Sequence, residues 1–118
     1  MNIQIKKDPR YPIDVKKVRQ LAKDILSQNN IDDKATLSIN FVGKRKEKKL
    51  NEDYRDKDYI PGVLSFPMHE QTPDGSLQLG DVMICFPEAR KEARKRERLV
   101  IEIVEEWLDH GIDNLVNK

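Results

Sequence analysis

The 118-residue chain has room for one hydrophobic core, so residues 1–118 are read as a single domain. It carries 22 basic and 21 acidic side chains, a net charge of +1; at 36% charged and 37% hydrophobic it is more polar than ordinary soluble domains, at about 25% and about 45–50%. That implies a small core under a heavily solvated surface, and it excludes a membrane helix, which needs about 18 consecutive apolar residues.

The first twelve residues contain no apolar signal core, and the lone Cys85 cannot form an internal disulfide. Both point to a reducing, cytoplasmic setting. Ile3 and Ile5 alternate in a first strand over residues 1–7, which Pro9 and Pro12 close. Asp14 is the expected N-cap of an amphipathic helix of about four turns carrying Val15, Val18, Leu21, Ala22, Ile25 and Leu26 on one face. Leu37, Ile39 and Phe41 alternate in a second strand over residues 35–42. After Gly43, residues 44–54 read as a short charged helix turning Leu50 and Tyr54 inward.

Residues 63–66 make a short buried strand, followed by a polar loop with a tight turn at Pro73-Asp74-Gly75. Residues 80–86 form another short apolar strand, and Pro87 suits the first position of a following helix. The pattern closes on a wide apolar stripe of Val100, Ile103, Val104, Trp107, Leu108 and Leu115, as expected of a helix packed on more than one side. The order predicts an α+β fold: a mixed four-stranded sheet covered by helices, with a central C-terminal helix.

Charge is unevenly placed. Residues 44–49 hold five bases and one acid, residues 90–98 six bases and two acids, and residues 101–118 five acids and one base. Such clusters suit a polyanion, or else a solvated helix face. Chemistry-bearing residues are few. Cys85, between Ile84 and Phe86, reads as core rather than as a nucleophile. His69 lies in the polar loop as a solvated residue. His110, before Gly111 at the end of the apolar stripe, reads on local grounds as a partner of the helix C-terminus.

Three blocks carry a resemblance: residues 50–67 (LNEDYRDKDYIPGVLSFP), residues 79–85 (LGDVMIC) and residues 108–111 (LDHG). In order and spacing they resemble the YbeY family, single-domain metal-dependent endoribonucleases of ribosomal RNA maturation. The resemblance implies an α+β fold whose central helix carries two histidines of a zinc site, and a positive groove in which Arg55 assists phosphodiester chemistry. The alternative for Arg55 is an ion pair with Asp53, Asp56 or Asp58. RNA phosphates would meet Lys44, Arg45, Lys46, Lys48, Lys49 and Lys57, because phosphate binding depends on charge alone. The partners implied are ribosomal RNA and the small ribosomal subunit, with no membrane and no DNA.

The departures concentrate on the metal motif. His110 matches the first of three metal histidines, Asn114 stands where the second belongs, and the third would fall at position 120, beyond Lys118. A neutral amide is a poor zinc ligand, so zinc is expected to be weak or absent here. Whether the chain is an enzyme is thus left open: it is read as a YbeY-like endoribonuclease with a degenerate metal site, or as an inactive RNA- or ribosome-binding protein on the same fold. Pro61-Gly62 replaces Thr-Asp before the VLSFP block, which reads as relaxed constraint near the site.

Overall fold

The computed structural model describes residues 1–31, 33–55 and 61–117. In chain order they form β1 (Asn2–Lys6), α1 (Val15–Gln28), β2 (Ala35–Val42), α2 (Lys44–Arg55), β3 (Val63–Gln71), β4 (Leu77–Cys85), α3 (Phe86–Lys95) and α4 (Val100–Val116). The α+β order is as the sequence pattern implies, and the four strands lie in one mixed sheet, β1-β2-β4-β3. β1 and β4 run parallel to β2, and β3 pairs antiparallel with β4 at the edge.

Strict alternation along β2 puts Ala35, Leu37, Ile39 and Phe41 on one buried face. The pairs Ile3↔Leu37, Ile39↔Val82 and Phe41↔Ile84 extend that face across the sheet. Against it α1 lays Val18, Ala22, Ile25 and Leu26, and α4 lays Val104, Leu108, Ile112 and Leu115, in one continuous core. Each buried Val, Leu, Ile or Phe of this core contributes roughly 1.5–3 kcal/mol by leaving water. Asp14 caps α1 as its position requires, its carboxylate accepting from the Lys17 N–H at 3.1 Å.

The opposite face of the sheet is polar and mostly open, with Gln4, Lys6, Thr36, Ser38, Gln78 and Asp81 around a shallow depression. α2 lies on this side. The Ser65 hydroxyl donates to the Gly111 carbonyl of α4, whereas the ring of the next residue, Phe66, meets Tyr54 of α2 edge-on, centroids 5.3 Å apart. Neighbours along a strand point to opposite faces, so α4 and α2 flank β3 from opposite sides.

Three sequence expectations are corrected. α2 does not turn Leu50 and Tyr54 inward: it buries Glu47 and Asn51, leaves Leu50 half-buried and exposes 70% of Tyr54. With two apolar residues in twelve, hydrophobicity is too weak to choose the helix face, and docking chooses it. Residues 68–71 and 77–79 are strand rather than loop, because β3 and β4 keep pairing up to a turn in which Thr72 and Ser76 bond through their backbones. Finally, two helices follow β4 where the pattern suggested one. They part at residues 96–99, where Glu97 adopts φ 54° and the Arg96 guanidinium reaches back to both carboxylate oxygens of Glu106 at 3.0 and 2.9 Å.

Candidate functional site

The site lies where α2 and α4 converge over the edge strand β3. Gly111 makes this convergence possible: a Cβ there would stand 2.8 Å from the Val82 side chain and 3.3 Å from Ser65 and Val63, so only glycine lets α4 lie this close to the sheet. Its neighbour His110 is thereby carried to the flank of β3, exposed, with Asn114 one turn along. Arg55, the last residue of α2, arrives from the other face. Arg55, His110, Asn114, Val63, Leu64, Ser65 and Pro67 line one open cavity of about 460 Å³. Two residues 55 positions apart, singled out separately in the sequence, thus share one cleft.

Two glycines fix the rest of the frame. Gly80 has φ 137°, and a Cβ on it would lie 2.2 Å from the Phe66 carbonyl oxygen, so the β3–β4 pairing beside the cleft requires glycine. Gly62 packs its backbone on the Trp107 ring, where a Cβ would come within 2.6–2.9 Å, and its carbonyl accepts from the Cys85 N–H. The Pro61-Gly62 substitution therefore leaves no slack at the entry to β3; the Trp107 ring fills the space.

The histidines exchange the roles expected of them. α4 continues six residues past His110, so His110 does not meet the helix end. His69 does: it is exposed, as expected, but it stands on a bulge of β3 with φ 52°, and its Nε2–H donates to the Leu115 carbonyl at 2.5 Å in the last turn of α4. Leu115, already in the apolar stripe, marks the continuation of α4 that the Gly111 after His110 seemed to end.

The described residues do not fit a three-ligand metal centre. The Asn114 amide Nδ2 lies 3.3 Å from His110 Nε2, a hydrogen bond that engages the imidazole nitrogen one turn away. His69 is held at the far end of α4. Among the described residues, no three His, Cys, Asp or Glu side chains stand close enough together to hold a metal ion.

The bases of residues 44–49 lie along α2. Lys44 approaches Glu88 at 4.0 Å and Lys49 approaches Asp53 at 3.6 Å, while Arg45, Lys46 and Lys48 are exposed. Lys57 lies outside the described residues. In the second basic run Arg96 and Arg98 pair with Glu106 and Glu102, and the Arg90 guanidinium sits 4.9 Å over the Phe86 ring.

Glu47, the one acid among the bases of residues 44–49, was missed as more than a charge. It is fully buried, and its carboxylate oxygens find no hydrogen-bond partner among the described residues. Burial pushes its carboxyl up to about 8; the nearby Cys85 backbone N–H pulls only weakly the other way, since it is committed to the Gly62 carbonyl. Cys85 is fully buried, as its run of apolar neighbours implies, and burial raises its thiol to about 11. It is unsuited to nucleophilic work.

The site of this α+β domain is thus a basic helix beside a cleft that offers an arginine and a histidine at a sheet edge. The YbeY family model, described as endoribonuclease YbeY, matches residues 2–115. Relatives carrying that name include those of Mesoplasma florum (32% identical, covering 86% of this chain and 65% of the relative), Finegoldia magna (36%, 72% and 58%) and Anaeromyxobacter sp. (40%, 70% and 42%). The chain belongs to the YbeY family. It spans between 42% and 65% of the length of these curated relatives. The solution structure of a Thermotoga maritima protein shares the fold, with a TM-score of 0.65 at 21% identity, covering 97% of this chain and 71% of that one.

Proposed function

We propose that the protein acts on RNA in ribosomal RNA maturation as a YbeY-type endoribonuclease, in the cytoplasm and at the small ribosomal subunit. The observation that carries this reading is the cleft in which Arg55 and His110 meet beside the basic face of α2. Lys44, Arg45, Lys46, Lys48, Lys49 and Lys57 supply the sequence-independent attraction for phosphates. Arg55 is the group placed to neutralise charge on a phosphate in the cleft, where a planar guanidinium offers paired donors.

A second reading, an RNA- or ribosome-binding protein that does not cut, is favoured by a specific observation. His110 shares its imidazole nitrogen with Asn114, and zinc is weak or absent with this ligand set. The two separate in a cleavage assay on a single-stranded ribosomal RNA fragment, run beside elemental analysis of the purified protein. Cleavage that Arg55→Ala abolishes supports the nuclease. Intact RNA, bound with only a modest and uniform loss in Arg55→Ala, supports the binder. Affinity that does not change with salt sinks both.

A further inference from the structure

Outside the cleft, the outer face of α2 forms a second concavity of about 480 Å³, lined by Arg45, Lys46, Lys49, Leu50, Asp53 and Tyr54. Helical spacing builds it: residues 46, 50 and 54 make one row and residues 45, 49 and 53 the next. The first row supplies a floor of Leu50 and Tyr54, the second a rim of bases. Three bases against one acid leave an excess of positive charge, and Arg45 and Lys46 make no ion pair among the described residues. Tyr54 is the most exposed large apolar side chain of the described residues, yet it is not loose, because Phe66 holds its ring edge-on at 5.3 Å and 73°. An oriented, solvent-facing aromatic ring with cations one and two turns behind it is the arrangement that takes an unpaired base on the ring and its phosphates on the cations.

We infer that this face of α2 is a stacking subsite for unpaired ribonucleotides, with Tyr54 as the platform and Arg45, Lys46 and Lys49 on the flanking phosphates. The inference rests on the RNA reading above and assigns unpaired bases a place on α2, since a base inside a duplex cannot leave its neighbours to stack on Tyr54. Tyr54 immediately precedes Arg55, so the subsite and the cleft draw on successive residues in the last turn of α2.

The test compares the full chain's affinity for a labelled decauridylate and for an abasic ribose-phosphate chain of equal length. The wild-type protein is expected to prefer the uridylate about tenfold, Tyr54→Phe to keep that preference, and Tyr54→Ala to lose it with an unchanged thermal midpoint. Lys46→Ala and Lys49→Ala should weaken both ligands alike and each lower the salt dependence by about one phosphate contact. A Tyr54→Ala protein that keeps the preference, or that loses affinity equally for both chains, overturns the subsite while leaving the RNA reading standing. A polyglutamate peptide that outcompetes the uridylate also overturns it, in favour of an acidic protein partner. No binding of either chain by the wild type at low salt removes the RNA reading itself, and the subsite with it.

Discussion

The β3–α4 seam and helix α2 bound the same cleft, yet they are held by different physics. The seam is a close-packed joint: Gly111 on Val82, Gly62 on Trp107 and Gly80 against the Phe66 carbonyl each occupy space that admits no further atom. α2 has two apolar side chains, one of them largely exposed, and turns a carboxylate with no hydrogen-bond partner among the described residues toward the protein interior. His110 therefore sits on a rigid wall and Arg55 on a weakly anchored one.

The largest expected effect tests the rigid side. Gly80→Ala places a methyl against a backbone oxygen at a φ that L-residues rarely adopt, and it should cost about 3 kcal/mol or more in urea unfolding. A loss under 1 kcal/mol would show that the seam yields and that the two walls do not differ.

Next comes the adjustable side. The Glu47 carboxyl titrates near 8 when folded and in the ordinary carboxylate range when unfolded, so between these values the folded state binds the extra proton. Stability should be full at the acid end, fall as pH rises from about 5 to about 8, and level off above. The total loss is a few kcal/mol. Glu47→Gln should flatten that slope in thermal melts taken across this range, and a wild-type profile already flat would mean that Glu47 has a partner holding its charge.

Ser65→Ala removes the 2.9 Å bond to the Gly111 carbonyl and should cost about 1 kcal/mol, with the cavity-lining residues otherwise unchanged. The smallest effect belongs to the surface. Arg98→Ala breaks an exposed i,i+4 pair with Glu102 and should change unfolding free energy by about 0.5 kcal/mol at low salt and less at high salt. A larger loss would assign the α3–α4 corner a structural weight that its exposure does not suggest.

Local pattern was enough wherever one residue type answered one local demand. The alternation in β2, the three- and four-residue spacing in α1 and α4, and Asp14 as a cap each reappear in the structure because burial and backbone hydrogen bonding act within a few residues. Arg55 and His110 were legible for another reason: the blocks LNEDYR, VLSFP and LDHG retain the residues of a known family in order. What failed was local inference applied to an uninformative pattern. Leu50 and Tyr54 could not orient α2, the loop histidine concealed a bond 46 residues away to α4, and the solitary acid in a basic run gave no sign of being buried.

The sequence by itself thus determined the order of elements through β4, the α+β class, the core face and the family, since these follow from periodicity and from motif blocks that are contiguous along the chain. The tertiary structure alone decided which face α2 exposes, which histidine meets a helix end, and that Arg55 and His110 share a cleft. Those outcomes depend on close approach between distant segments, set at Gly62, Gly80 and Gly111 by the absence of a side chain, and an absent side chain leaves no hydrophobic pattern to read.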